Sequence, residues 1–302
     1  MEKVIITGAD GFIGHCVTKH LLNRGCEVYG IGIDESKMDD LKSDHLHFIK
    51  AYFEDYANIT DKLPVGADCF FHFAWKGIFG EPFKDYSLQM NNAKFACDAV
   101  MMAINLKCRK FVLASTINVL EARHYMRVDS IKPRYANIYA MSKLSAEMIG
   151  KTLAYQNGIE FNCGLIPTIY GEGNKSDTLI NILISNLLKG QPSDLIPYDD
   201  LFDIIYVEDV AEAFCYIGEK GCNQKTYYIG HNKPRKIGSI VDEIVQVVNK
   251  EGVVSFGKYP IVNGINFELI DMYALEKDTG FTPSFSIKES IKKTADWMKD
   301  NI

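Results

Sequence analysis

The N-terminal fourteen residues constrain the fold more than any other part of the sequence. A short, mostly β-branched run at 4–7 leads directly into glycines at positions 8, 11 and 14, and helical spacing follows from 13 to 23. A strand that turns sharply into a helix needs a residue tolerant of positive φ, a point of close backbone approach, and a tight helix–strand contact. The three glycines meet these needs, so the sequence is predicted to open with a strand–glycine loop–helix unit.

The predicted loop also has a ligand chemistry. The first turn of a helix carries backbone N–H groups without helical acceptors, at the positive end of the helix dipole, and phosphate groups bind there. The pattern therefore predicts a dinucleotide-binding loop, although a plain turn would use glycine as well. The residues expected to contact the cofactor are Gly8, Asp10, Gly11, Phe12, Ile13 and Gly14.

Strand-like and helix-like segments alternate through the first half of the chain. The strand-like segments are 27–33, 47–49, 69–73, 110–115 and 161–166, and long helical segments run from about 86 to 106 and from about 136 to 156. This alternation predicts an α/β fold, a Rossmann-like doubly wound parallel sheet. We expect a dinucleotide-binding domain at 1–165 and a smaller C-terminal substrate lobe at 166–302, with the chain returning to the sheet near 202–230.

Composition excludes several classes of partner. The formal charge is −6 over 302 residues and no dense run of lysine or arginine occurs, which argues against nucleic-acid or membrane-surface binding. Eight cysteines occur without a CxxC pair, so we expect buried thiols and no metal site. The N-terminus has no apolar signal segment, which predicts a cytoplasmic protein.

Tyr139 and Lys143 form the strongest chemical signal. They stand four residues apart in the helical segment at 136–156, so both lie on one helix face. A lysine ammonium beside a tyrosine, and near an oxidised nicotinamide ring, favours the phenolate, and we expect it to lower the pKa of the tyrosine. Such a phenol exchanges a proton with a hydroxyl or carbonyl near neutral pH. The usual alternative for an isolated pair is two solvated side chains on a helix surface.

Together these motifs resemble the extended short-chain dehydrogenase/reductase family, in its NAD-dependent epimerase/dehydratase branch. Thr7-Gly-x-x-Gly-x-x-Gly14 precedes Tyr139-x-x-x-Lys143 by about 125 residues. Further likeness lies at 71–75, 166–171, 202–211 and 280–283. The resemblance implies a nicotinamide-dependent oxidoreductase or epimerase that acts at a sugar carbon, C4 by expectation, of a nucleotide sugar. It also implies a homodimer through a four-helix bundle built from the helices near 92–106 and 137–156.

The resemblance assigns roles to further residues. One hydroxyl at the end of the preceding strand, Thr116 or Ser115, would hydrogen-bond the reacting oxygen, and alignment on the following valine favours Thr116. Ala74 and Pro167 would lie beside the cofactor. Lys143 would also hold the nicotinamide ribose.

The end of the second strand decides between NAD and NADP, because an acid there binds the adenine ribose and repels a 2′-phosphate. The family's acid position falls on Gly32, and we expect Asp34, two residues further on, to take its role. Lys37 is a possible partner for a 2′-phosphate, and Asp34 is alternatively an ordinary turn residue. The sequence favours NAD and leaves NADP open.

Departures from the family pattern concern the substrate. Thr168 and Phe202 replace a usual asparagine and arginine, and no arginine stands near 268–273 to clamp a diphosphate. Lys175 or Arg235 would have to substitute.

Departures also bear on the reaction. Sugar 4,6-dehydratases of this family carry an acid–base pair where this chain has Ile117-Asn118, which argues against dehydration. Epimerisation and reduction of a 4-keto sugar without epimerisation remain open. A non-catalytic dinucleotide-binding redox sensor is the alternative from another class.

Overall fold

The computed structural model describes residues 1–127, 134–259 and 265–301. The strands are β1 (Lys3–Thr7), β2 (Glu27–Gly32), β3 (Leu46–Lys50), β4 (Cys69–His72), β5 (Lys110–Thr116), β6 (Glu160–Ile166), β7 (Thr168–Tyr170), β8 (Ser193–Asp194), β9 (Leu201–Phe202), β10 (Ile204–Tyr206), β11 (Thr226–Tyr228), β12 (Arg235–Lys236) and β13 (Val254–Ser255). The α-helices are α1 (Phe12–Asn23), α2 (Tyr86–Asn105), α3 (Val119–Tyr125), α4 (Ala136–Gln156), α5 (Leu179–Leu188), α6 (Val207–Lys220), α7 (Ile237–Val248), α8 (Ala274–Thr279) and α9 (Ile287–Asn301).

Within the described ranges, the main sheet contains seven parallel strands in the order β3-β2-β1-β4-β5-β6-β11. β1 lies between β2 and β4, so the connections run outward in opposite directions from it. At such a switch point the loops after the strands diverge and open a crevice at their carboxyl ends. The doubly wound parallel sheet predicted from the alternating segments is therefore confirmed.

Helices cover both faces of this sheet. On one face, Val17 and Leu21 of α1 belong to the same apolar cluster as Phe214 and Ile217 of α6. On the other face, α2 and α4 pack against each other, with their alanines in a second buried cluster. Gly150 of α4 allows close approach to the sheet, because a Cβ there would stand 2.8 Å from the Phe161 ring.

Charged side chains join α1 to α6 at the rim of the first face. The His20 imidazole lies 2.5 Å from a Glu208 oxygen and 3.0 Å from a Glu212 oxygen. Arg24 forms a 2.6 Å ion pair with Glu212. The hydrogen bond to Glu208 raises the pKa of His20, so the imidazole holds both acids more strongly in its charged form.

The second half of the chain contributes one strand to the main sheet and others to separate small sheets. β10, expected to return to the main sheet, instead pairs with β7 in a separate two-stranded sheet. The chain rejoins the main sheet at β11, which lies beside β6. β6 ends one residue past the expected boundary at 165, and the first apolar cluster continues across it from Leu21 to Ile184.

No helix in the described ranges is long and apolar enough to cross a membrane.

Candidate active site

The glycine loop between β1 and α1 adopts a conformation that side chains would block. Gly8 has φ +71°, and a Cβ there would stand 2.8 Å from the Ala74 backbone nitrogen. A Cβ on Gly14 would stand 2.0 Å from the Gly8 carbonyl oxygen. α1 begins at Phe12 without a side-chain cap, so its first N–H groups are left for a ligand. The loop therefore fits a pyrophosphate laid against the helix N-terminus.

A cleft of about 480 Å³ opens above this loop. All six loop residues expected to contact the cofactor line it, and so does Ala74. The other lining residues come from the ends of β2, β3 and β4 and the segments after them, from β7 and from the loop before α5: Ile31, Gly32, Ile33, Lys37, Ala51, Tyr52, Phe53, Tyr56, Phe73, Trp75, Lys76, Ile78, Phe79, Ile169, Gly173, Asn174, Lys175, Ser176 and Thr178. Pro167, Asp34 and the predicted catalytic residues Ser115, Thr116, Tyr139 and Lys143 are not among them.

The two acids near the end of β2 differ in orientation. One Asp34 oxygen accepts hydrogen bonds from the backbone N–H and the hydroxyl of Ser36, at 3.3 and 2.7 Å. These bonds hold the pKa of Asp34 below its usual value. Asp34 thus caps the 3₁₀ turn Glu35–Leu41, whereas Asp10 reaches across from the glycine loop and lines the cleft.

Lys143 lies on α4 beneath the end of β5. Its Nζ donates a 2.9 Å hydrogen bond to the Ala114 carbonyl and stands 3.8 Å from the centre of the Trp75 ring. One carbonyl and an aromatic face replace little of the water that an ammonium loses on burial. Burial accordingly lowers the pKa of Lys143 to about 7.

Tyr139 lies one helical turn before Lys143, partly buried between Phe83 and Trp75. Burial raises the pKa of Tyr139 above its ordinary value, and a hydrogen bond with Thr116 acts in the opposite direction. The shift is opposite to the expected lowering of the Tyr139 pKa, because desolvation of the phenol outweighs the hydrogen bond with Thr116.

Of the two strand-end hydroxyls, the structure brings Thr116 to Tyr139. Successive residues of a strand face opposite ways, so Ser115 points away, and its hydroxyl has no partner among the described residues. Thr116, Tyr139 and Lys143 thus meet at the carboxyl end of β5.

Trp75 has a larger place in the site than its sequence indicated. The residue lines the cleft, while its indole covers the Lys143 ammonium, so it stands between the cleft and the Tyr139–Lys143 pair. The indole N–H donates a 2.8 Å bond to Gln89, a fully buried side chain that also donates to the Gly77 carbonyl. In the sequence, this arrangement is indicated only by a tryptophan directly after Ala74.

Asn92 supports the same segment. It lies inside α2, whose N-cap is Asp85, and its amide bonds the backbone N–H and carbonyl of Lys76 at 3.1 and 2.8 Å. Gln89 and Asn92 therefore fix the chain that carries Trp75.

The two cations considered for a diphosphate are placed differently. Lys175 lines the cleft in the loop before α5. Arg235 pairs with Glu243 of α7, with contacts of 2.5 and 3.3 Å. Lys175 is therefore the better placed of the two.

A cluster of metal-type ligands lies away from the cleft. Atoms of Cys16, His20 and Glu208 stand within 4.8 Å of one another. The His20 imidazole is engaged by two carboxylates, and burial raises the pKa of the Cys16 thiol far above its usual range. Hydrogen bonding between α1 and α6 accounts for this cluster.

Comparison with known proteins identifies the family. The model of the NAD dependent epimerase/dehydratase family matches residues 4–230. An uncharacterised protein of Methanocaldococcus jannaschii is 24% identical over 99% of this chain and 97% of its own length. The UDP-glucuronate 4-epimerase of Thermodesulfobacterium geofontis is 22% identical over 100% of this chain and 98% of its own.

Solved structures share the fold. The UDP-N-acetylglucosamine 4-epimerase of Methanobrevibacter ruminantium, in complex with UDP-N-acetylmuramic acid, superposes with a TM-score of 0.82 at 20% identity, over 100% of this chain and 99% of its own. The UDP-glucuronic acid 4-epimerase of Bacillus cereus, in complex with NAD, superposes with a TM-score of 0.78 at 20% identity, over 99% of this chain and 97% of its own. With a family match across most of its length and a glycine loop shaped for a dinucleotide, the chain belongs to the NAD dependent epimerase/dehydratase family.

Proposed function

We propose that the protein is an NAD-dependent enzyme that inverts the C4 carbon of a nucleotide sugar through a 4-keto intermediate. The observation that carries this proposal is the meeting of Thr116, Tyr139 and Lys143 at the carboxyl end of β5, beside the cleft. The positions after Thr116 are Ile117 and Asn118, which cannot transfer protons as carboxyls do, so dehydration is disfavoured.

The glycine loop supports the cofactor assignment. Its backbone adopts this tight turn because positions 8 and 14 lack a Cβ, which would meet the Ala74 and Gly8 backbones. Gly8, Gly11 and the N–H groups of the first turn of α1 would hold the phosphates, and Ala74 would lie beside the nicotinamide half. When bound, NAD supplies the hydride acceptor and donor for the sugar carbon.

The proton chemistry belongs to Tyr139 and Thr116. When the C4 hydroxyl is oxidised, Tyr139 would accept its proton as the phenolate, and when the ketone is reduced the phenol would return that proton to the C4 oxygen. Burial raises the pKa of the phenol, so formation of the phenolate requires a compensating positive charge. A protonated Lys143 would stabilise this phenolate, and the Thr116 hydroxyl would hydrogen-bond the same C4 oxygen.

The substrate class rests on the relatives and on Lys175. Several relatives are named as acting on UDP sugars. Lys175 places a cation at the cleft, where a nucleotide diphosphate would need one, in place of the family's arginines. Reduction of a 4-keto sugar uses the same three side chains and is the second candidate. The two differ in whether NADH is consumed.

We also propose a cytoplasmic homodimer formed by α2 and α4. These helices pack side by side and expose large apolar side chains: Met90, Met101, Met141, Met148, Ile149 and Tyr155. A second copy would bury this face as a four-helix bundle. Met148→Glu should give monomers in light scattering, whereas Val253→Glu, at a residue 64% exposed in a loop, should not. A wild-type monomer would contradict the dimer.

The function is tested by incubating purified protein with UDP-glucose, UDP-glucuronic acid or UDP-N-acetylglucosamine and NAD⁺, and following the C4 proton by NMR. Conversion to the C4 epimer without net NADH is the expected result. Oxidation of NADH by a 4-keto sugar without epimerisation would favour the reductase. Binding of the cofactor without turnover of any of these sugars would favour the non-catalytic redox sensor.

A further inference from the structure

One end of the cleft lies at the end of β2, where the acid that usually binds the adenine ribose is missing. In dinucleotide-binding α/β folds, a carboxylate near the end of the second strand accepts hydrogen bonds from the adenine ribose. β2 of this chain ends at Gly32, which has no side chain to offer. Another group must serve the ribose if NAD binds here.

The Asp10 carboxylate stands where a side chain from position 32 would start. A Cβ built on Gly32 would lie 2.5 Å from Asp10 Oδ1 and 2.7 Å from its Cγ. The glycine at 32 and the acid at 10 are therefore coupled, because any side chain at 32 would displace this carboxyl.

Backbone hydrogen bonds fix the orientation of Asp10. Its Oδ2 accepts from the N–H groups of Ile33 and Asp34, at 2.9 and 3.0 Å. The other oxygen, Oδ1, is left on the side of Gly32 and the cleft. An ionised carboxylate held in this way keeps an acceptor for a ligand hydroxyl.

The neighbouring polar groups are less suited to accept a hydrogen bond from the ribose. Asp34 uses an oxygen to cap the turn at Ser36 and does not line the cleft. Lys37 lines the same end of the cleft and offers only donors, which suit a 2′-phosphate and not a free ribose.

We infer that Asp10, supplied by the glycine loop, is the residue that selects NAD over NADP, in place of an acid on β2. Its Oδ1 accepts a hydrogen bond from the 2′-hydroxyl of the adenine ribose and repels a 2′-phosphate. This inference rests on the proposed function only in requiring that the cleft binds a nicotinamide dinucleotide, and it replaces Asp34 as the expected ribose ligand.

The test measures binding and not turnover. NADH and NADPH are titrated separately into wild type, Asp10→Asn and the matched control Asp34→Asn, with energy transfer from tryptophan to the reduced nicotinamide as the signal. Asparagine at 10 can keep its amide oxygen towards the Ile33 and Asp34 N–H groups while the amide NH₂ replaces Oδ1. Thermal melting of each variant, without cofactor, checks that the fold is retained.

We expect Asp10→Asn to weaken NADH binding by about 10- to 100-fold, the range for a hydrogen bond to a charged group. NADPH binding should be unchanged or tighter, so the preference for NADH falls, while Asp34→Asn keeps it. Loss of preference in Asp34→Asn and not in Asp10→Asn would overturn the inference, as would tighter binding of NADPH than NADH by wild type. Binding of neither dinucleotide would overturn the proposed function as well.

Discussion

The two ends of the cleft differ in how their functional groups are arranged before a ligand binds. At the glycine loop, the binding surface is backbone whose shape depends on missing side chains, as at Gly8 and Gly14. At the catalytic end, the functional side chains contact one another: the Lys143 ammonium lies under the Trp75 indole, and Tyr139 packs between Trp75 and Phe83.

This difference separates cofactor binding from chemistry. The phosphate end needs no rearrangement before a ligand binds, because its donors are fixed by the strand and the helix. The catalytic end holds Lys143 with a pKa near 7 and Tyr139 with a raised one, so near neutral pH the lysine is partly protonated and the phenol keeps its proton. Trp75 lines the cleft and its indole covers the Lys143 ammonium, so Trp75 couples the two ends.

The largest expected effect comes from removing the chemistry without touching the binding end. Tyr139→Phe should lower kcat by at least about 100-fold, the usual contribution of a general acid–base group, with NADH affinity within about twofold of wild type. Steady-state kinetics and fluorescence titration measure the two quantities. Tyr135→Phe, one turn earlier and exposed, is the control. A Tyr139→Phe variant with wild-type kcat would remove Tyr139 from the mechanism.

The opposite experiment disturbs the binding end alone. Gly14→Ala should lower the free energy of unfolding by about 3 kcal/mol and abolish NADH binding, because its Cβ would meet the Gly8 oxygen at 2.0 Å. Gly11 has φ −89°, and a Cβ there would stand 3.2 Å from the same oxygen. Gly11→Ala should therefore lower the free energy of unfolding by about 1 kcal/mol or less. Urea unfolding compares the two. Equal costs would mean that the loop relaxes more readily than its packing indicates.

The lowered pKa of Lys143 predicts that the stability of the protein depends on pH. Between its folded pKa of about 7 and its ordinary value of 10.5, the unfolded chain binds more protons at this residue, so the free energy of unfolding rises with pH across that window. The contribution is at most about 1.4 kcal/mol per pH unit. In Lys143→Met the rise should be smaller. Parallel pH profiles for the two proteins would show that Lys143 titrates normally in the fold.

The smallest effect concerns the indole that joins the ends. Trp75→Phe keeps an aromatic face for Lys143 but loses the N–H bond to Gln89, which should cost about 1 kcal/mol of stability. NADH should quench the fluorescence of Trp297→Phe, which retains Trp75, and leave that of Trp75→Phe nearly unchanged. Quenching confined to Trp75→Phe would contradict the position of the indole at the cleft.

Local patterns predicted the fold well. The strand–glycine–helix unit, the bounds of α2 and α4, and the parallel, doubly wound character of the sheet follow from residues within about twenty positions of each other. The pairing of β10 with β7 did not follow, because the three residues Ile204–Tyr206 are equally apolar in either sheet. To predict which sheet this strand joins, one must know where the segment 168–170, its partner, lies in the fold.

Within the site, the residue types were predictable and their partners were not. The spacing of Tyr139 and Lys143 predicts that they share a helix face, whereas Thr116 was assigned through the family resemblance. The charge states depend instead on burial, which no spacing encodes, so the direction of the Tyr139 pKa shift was wrong. Asp10 and Trp75 act through contacts with Gly32 and Lys143, residues 22 and 68 positions away in the chain.

The apolar cluster shared by α1, α5 and α6 has a consequence for engineering. A fragment ending near residue 165 would expose Val17 and Leu21, on the helix whose first turn faces the cleft. Such a fragment should aggregate or unfold, so exchange of the C-terminal half with a relative must carry a matching surface for α1. Specificity in this protein is therefore not transferable as a separate module: grafting a new sugar site means redesigning the support of the nucleotide site.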